Sequence, residues 1–199
     1  MTIKVSLKNS KMGAIPSVSL PSWTTCRPDC QCRQKCYAHR IERLRKNVRE
    51  SYQHNLEVLN NDPDTYWREL EGILMMSRFF RFHVSGDIPS IEYLYRMVNI
   101  CTRQSHCEVL CFTKRYEWVN HLLKSKVLPK NLHLIFSVWK GLLCENIHNL
   151  PEAHVLYRDG TTTASNDAKL CNGNCAECAV AGNGCWTLQK GEQIMFHEH

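Results

Sequence analysis

Between His39 and Leu59 the apolar residues Ile41, Leu44, Val48, Tyr52, Leu56 and Leu59 recur at steps of three and four. That period is one face of an α-helix, so the stretch predicts a single amphipathic helix with basic residues on its other faces. Asn60-Asn61-Asp62-Pro63 stops it, and Asp64 is placed to cap a second helix carrying Tyr66, Trp67, Leu70, Ile73 and Leu74. The pattern then shortens. Apolar runs at Ile15–Leu20, Phe79–Val84, Glu108–Phe112, Leu132–Val138 and His154–Tyr157 read as strands. Between them lie helical patterns, one capped by Ser90 and bearing Ile91, Leu94, Tyr95 and Val98, another bearing Trp118, Val119, Leu122 and Leu123.

Strands alternating with helices imply βαβ units and a parallel sheet. The order predicts an α/β fold with about five to six strands, short of the eight in a closed barrel. An open, partial parallel β/α barrel fits best, and a doubly wound sheet is its competitor. Residues 1–165 are expected to form this domain, with 166–199 a cysteine-rich segment packed on it. In either fold, polar residues just past the strands gather along one edge, where sites are built. Here those are Ser85, Gly86 and Asp87, then Thr113, Lys114 and Arg115, then Trp139 and Lys140, then Arg158 and Asp159.

Composition changes the picture in one respect. The chain has 199 residues, no apolar run near the ~20 that a membrane span needs, and no signal-peptide pattern at Met1–Ser6. A cytoplasmic protein is expected, and no membrane partner. Yet there are twelve cysteines, and a reducing compartment disfavours disulfides. Cys26, Cys30, Cys32 and Cys36 crowd one loop, Cys171, Cys175, Cys178 and Cys185 another, while Cys101, Cys107, Cys111 and Cys144 are scattered and read as small buried hydrophobes.

The first loop has no CxxC knuckle and follows the first strand, on the edge where chemistry is expected. Its spacing favours an iron–sulfur cluster over zinc, with an unliganded loop third, and a spare cysteine would leave a three-thiolate site with an open iron. The second group is threaded with Asn172, Gly173, Asn174, Gly182, Asn183 and Gly184, which let a short loop wrap a centre. Four thiols fill four positions, so its role is structural, the metal being zinc or a second [4Fe–4S] cluster.

Net charge is +6, and Arg33, Lys35, Arg40, Arg43, Arg45, Lys46 and Arg49 concentrate the excess in the predicted helix 33–49. Such a run is a solvated face or a nucleic-acid contact. Lys114 and Arg115 are candidates to grip an anionic group. His83 reads as a satisfied buried histidine rather than a reacting one, Asp87 as either a helix N-terminal residue or a ligand, and His197 and His199 as frayed.

The β/α order, the cysteine loop ending in Cys36-Tyr37, and Ser85-Gly86-Asp87 after the second strand resemble the radical S-adenosylmethionine enzymes. That resemblance implies a [4Fe–4S] cluster on three cysteines, adenosylmethionine on its open iron, and contact of Gly86 and Asp87 with that cofactor. The loop departs from the superfamily's C-x3-C-x2-C spacing. Lys8-Asn9-Ser10-Lys11-Met12-Gly13, the Cys26–Tyr37 loop, Phe82-His83-Val84-Ser85-Gly86-Asp87, Phe112-Thr113-Lys114 and Cys185-Trp186 also resemble the gene product 88 family of phages and mobile elements. That likeness covers nearly the whole chain and implies that Cys26, Cys32 and Cys36 are the ligands, Cys30 the extra. An enzyme acting on an unknown small or macromolecular substrate, fed by an electron donor, is the leading expectation. A zinc protein binding nucleic acid or a partner through 33–49, and an iron–sulfur redox or sensor protein, are its rivals.

Overall fold

The computed structural model describes residues 2–9 and 11–198, so Ser10 of the Lys8–Gly13 stretch and His199 lie outside the described residues, as does Met1. Eight strands form one mixed sheet: β1 Val5–Ser6, β2 Ser17–Val18, β3 Phe79–Phe82, β4 Glu108–Thr113, β5 Leu132–Ser137, β6 Glu152–Leu156, β7 Lys169–Leu170 and β8 Gln193–His197. Their order is β1-β2-β3-β4-β5-β6-β8-β7. Only β1 runs antiparallel, to β2; every other pairing is parallel. The sheet therefore exceeds the five to six strands expected. The unexpected ones are the two-residue β1 and β7 and the C-terminal β8, whose His197 pairs in register with Leu156 instead of fraying.

From β2 to β6 each strand adds to the same side of the last. A doubly wound sheet would reverse direction midway, and this one does not. Single winding puts the crossover helices on one face. These are α1 Tyr37–Leu44, α2 Lys46–Asn61, α3 Pro63–Met75, α4 Ile91–Arg103 and α5 Tyr116–Leu123. Strand alternation divides the residues between two cores. Phe80, Phe82, Val109, Cys111, Leu134 and Phe136 pack with Leu70, Leu94, Met97 and Val119 of the helices. Leu110, Ile135, Ala153 and Ile194 face the other way and are covered by Met12, Ile15 and the C-terminal segment, including Ala179, Cys185 and Trp186. Cys101, Cys107 and Cys111 are fully buried. Among the described residues no helix is long and apolar enough to cross a membrane.

Two helix boundaries differ from the sequence pattern. The helix expected over 39–59 breaks at Arg45, whose backbone is extended (φ −124°, ψ 98°) and whose N–H closes α1 on Ile41. The basic run 33–49 is thus not one helix but a short 3-10 turn at Gln31–Lys35, α1, and the start of α2. The cap of α3 is Asp62, which accepts from Thr65 N at 3.1 Å; Pro63 lacks an N–H and so suits the first turn.

Candidate functional site

The loop after β2 carries the first cysteines and is held mostly by side chains. Arg115 donates from Nη2 to Thr25 O (2.7 Å) and from Nε to Ile88 O (3.1 Å). Its guanidinium also stacks on Trp118 at 4.4 Å. The buried carboxylate of Glu42 accepts from Ser22 N (3.0 Å) and Ser85 Oγ (2.7 Å), joining the loop to the turn after β3. Arg27 donates to Lys114 O at 3.1 Å. Within the loop, Cys30 and Cys32 Sγ lie 2.7 Å apart. Cys36 caps α1, its Sγ accepting from His39 N at 3.4 Å.

The turn after β3 is built around two left-handed residues. His83, a non-glycine at φ +58°, follows the last residue of β3, and Gly86 sits at φ +80°. A Cβ on Gly86 would lie 2.6 Å from Thr25 Oγ1 and 2.7 Å from Leu20 O, so only glycine fits. Asp87 is a strut. Its Oδ1 accepts from Ile88 N and Thr113 Oγ1, both at 2.7 Å, and its Oδ2 from Lys114 N at 2.9 Å. This carboxylate fixes the end of β4 relative to β3, and burial raises its pKa against the opposing effect of those bonds.

These pieces line a cavity of about 230 Å³ that opens to solvent. On its wall are Cys26, Cys30, Cys32 and Cys36, the turn Ser85-Gly86-Asp87, and Lys114, with apolar surface from Val84, Phe112, Val155 and Phe196. Arg115, expected to grip an anion here, instead braces the loop from behind and does not line the cavity. Lys114 does line it and donates from Nζ to Ser137 Oγ at 2.8 Å. Burial alone would lower its pKa, but Cys32, Cys30, Asp87 and Cys26 outweigh burial and hold it above its ordinary value. Burial, then Asp87, pushes Cys26 up to about 11. The hydrogen bond between Cys30 and Cys32 lets one thiol of the pair ionise well below the usual range and holds the second proton well above it.

The second cysteine group surrounds its own cavity, lined by Cys171, Cys175, Cys178, Cys185 and Trp186. Main-chain bonds anchor it: Cys171 N to Met195 O (2.8 Å) and Cys175 N to Lys11 O (3.0 Å). Helix α6, Cys175–Ala181, starts on Asn174 and ends on left-handed Gly182. Burial, then Cys171 and Cys175, pushes Cys185 up to about 12. Cys175 and Cys185 line the first cavity as well, so the two spaces share a wall.

All eight clustered cysteines therefore face one or the other cavity. Among the described residues no three His, Cys, Asp or Glu side chains are grouped as a ready-made site for a bare metal ion. Sequence patterning did not single out Arg81 and Lys11 on the cavity wall, nor the buried chain Tyr66–Tyr93–His83, linked OH to OH and OH to Nε2 at 3.0 Å each. The one available signal was a lone charge, Arg81, inside the apolar run Phe79–Val84.

A family model described as Gene product 88 matches residues 2–163, and the chain belongs to that family. No curated protein and no solved structure matches it.

Proposed function

We propose that this member of the gene product 88 family is an iron–sulfur enzyme of the radical S-adenosylmethionine type on a partial parallel β/α barrel. Cys26, Cys32 and Cys36 would hold the [4Fe–4S] cluster, and Cys30 would be the extra thiol. The observation that carries this reading is the shared cavity, where four thiols, the Ser85-Gly86-Asp87 turn and Lys114 meet at the carboxyl edge of a parallel sheet. The donor set fits the group. A cluster of iron and sulfide is wider than a single ion and suits thiols that line one space without converging on a point. When bound with adenosylmethionine, such a cluster supplies the electron for reductive cleavage to a carbon radical.

The chain's own residues prepare that chemistry. Lys114 holds a fixed positive charge beside thiols that must ionise to bind metal. Gly86 lets the turn approach Leu20 and Thr25 closely, and Asp87 locks it to β4. Burial, the main cause, depresses His83 to about 3, so at neutral pH it is a neutral hydrogen-bonding group. Val84, Phe112, Val155 and Phe196 give this space its apolar surface.

The test is to purify the chain without oxygen, record its visible spectrum, and count iron, sulfide and zinc. Iron and sulfide with broad absorption near ~400 nm, reduced by one cluster's share in Cys26→Ala, Cys32→Ala and Cys36→Ala but kept in Cys30→Ala, is the expected result. Zinc alone would overturn it. Adenosylmethionine should then perturb the electron paramagnetic resonance of the reduced cluster; no perturbation and no 5′-deoxyadenosine would leave an iron–sulfur redox or sensor protein. At Cys171, Cys175, Cys178 and Cys185 we assign a second, structural centre, zinc or a second cluster, which the same counts distinguish. Exposed Arg40, Arg43 and Arg45 on and after α1 are where a nucleic-acid partner would dock, and its affinity should fall steeply with salt.

A further inference from the structure

Arg81 lies in the middle of β3, in register with Ser17 of β2 and Leu110 of β4. Its neighbours Phe80 and Phe82 pack into the helix-covered core, so strand alternation sends Arg81 to the opposite face, onto the wall of the first cavity. The residue is only 9% exposed. Its guanidinium carbon lies 5.0 Å from the centroid of Phe112. Nη1 donates to Met12 Sδ at 3.4 Å, a weak acceptor, and among the described residues buried Nε has no hydrogen-bond partner.

The acids on the same wall are committed elsewhere. Asp87 accepts from Ile88 N, Thr113 Oγ1 and Lys114 N. Glu198 pairs with Lys35 at 2.6 Å and accepts from Arg158 N at 3.2 Å. A guanidinium cannot shed its proton, and a buried cation without a counter-charge is strongly unfavourable. A fixed positive charge, with its Nε buried and unpartnered among the described residues, therefore stands on the wall of this cavity.

We propose that Arg81 anchors the carboxylate of a small organic ligand, with the ligand's apolar body against Phe112 and Phe196. Those two rings pack edge to face at 5.7 Å and both line the cavity. Lys11, whose Nζ sits 5.0 Å from the Phe196 centroid, adds a second cation on the same wall. One planar fork beside aromatic and aliphatic surface matches the two oxygens of a carboxylate carried on an apolar body. The inference deepens the reading of this cavity by giving a substrate class, yet it rests on Arg81 and not on iron.

The competing source of negative charge is internal, because Cys175 and Cys185 share this wall and a metal centre would make them thiolates. The experiment separates the two. The full chain is titrated with benzoate, acetate and inorganic phosphate at constant ionic strength, followed by thermal midpoint and tryptophan fluorescence. Benzoate should raise the midpoint of the wild type saturably and more than acetate or phosphate does. Arg81→Met should bind it at least about tenfold more weakly, the loss of one charge-assisted fork. Arg81→Lys, which keeps the charge and loses the fork, should also weaken binding and covers the case in which Arg81→Met does not fold. Metal content should be unchanged in the variant, and without ligand Arg81→Met should be at least as stable as the wild type. No saturable benzoate response, a phosphate response that survives in Arg81→Met and Arg81→Lys, or loss of metal from either variant would overturn the proposal. Iron-free protein that still binds benzoate through Arg81 would overturn the cluster reading alone.

Discussion

The two cysteine groups use the same residue type in opposite surroundings. The loop that carries Cys26 to Cys36 is held by side chains: Arg115 and Glu42 reach in to Thr25 and Ser22 at its start, its own Arg27 reaches out to Lys114 O, and its thiols share a cavity with Lys114. The segment from Cys171 to Cys185 is tied by main-chain bonds to Met195 and Lys11 and contributes Ala179, Cys185 and Trp186 to the apolar core under β4 and β5. A loop held by side chains around charged groups can adjust to a ligand. A segment whose backbone extends the sheet and whose side chains complete a core cannot move without exposing that core. The first arrangement suits chemistry and the second architecture.

The largest expected effect tests that division directly. In metal-loaded protein, Cys185→Ser should lower the thermal midpoint by about 10 °C or more, because it removes a candidate ligand and places a hydroxyl in the inner core. Cys30→Ser should lower it by only a few degrees. Equal losses, measured by calorimetry, would break the comparison. Next comes a pair of glycines. Gly86→Ala forces a Cβ to within 2.6 Å of Thr25 Oγ1 at φ +80° and should destabilise by about 2–4 kcal/mol. Gly182→Ala, at φ +61° with nothing within 4 Å, should cost about 1 kcal/mol. Denaturant titration of both variants checks the order; a larger loss at Gly182 would contradict it.

Much of the helix-bearing half was legible in the chain. The apolar runs ending in polar turns located β3 to β6, and Ser90 caps α4 by accepting from Tyr93 N at 3.1 Å, as its position suggests. The turn Ser85-Gly86-Asp87 was singled out, but its mechanics were not: whether Asp87 binds a ligand or braces a neighbouring strand depends on where Thr113 and Lys114 end up. Adjacent Lys114 and Arg115 look alike as letters, yet the turn after β4 sends one into the cavity and the other to Thr25 and Ile88. The break at Arg45 was hidden because Ile41, Leu44 and Val48 stay in helical phase across it. Strand β8 was hidden because Gln193–His197 is short and gains its partner only when β6 is in place. Arg81 was hidden inside a strand that its phenylalanine neighbours made look wholly apolar.

A smaller effect sharpens the description of the first cavity. His83 is buried and hydrogen-bonded through Nε2 to Tyr93, and burial depresses its pKa to about 3. Unfolding returns it to the ordinary value near 6.5. Between those values the unfolded chain holds a proton that the folded chain does not, so stability is full above pH ~6.5 and falls as pH drops toward 3. The slope from this one group is at most about 1.4 kcal/mol per pH unit. His83→Gln should flatten that part of the profile, read as unfolding midpoints in urea between pH 7 and 5. An unchanged slope would mean that His83 is not carrying it.

The smallest effect lies where the two regions touch. Lys35, in the 3-10 turn of the first loop, reaches Glu198 just beyond β8, with Nζ 2.6 Å from Oε1. The lysine of this pair is exposed and flexible and must be ordered to form it, so its coupling should be small and screened by salt. A double-mutant cycle with Lys35→Met and Glu198→Gln should give a stability coupling close to measurement error, shrinking further at high salt. If the first loop adjusts while the C-terminal segment stays fixed, breaking this pair should still alter the loop, raising the rate at which the thiols between Cys26 and Cys36 are alkylated in metal-free protein. Labelling at Cys171 to Cys185 should not change. Peptide mapping after a timed alkylation reads both groups at once. Parallel acceleration in both would mean that they open as one unit, which would remove the distinction between a loop that adjusts and a segment that does not.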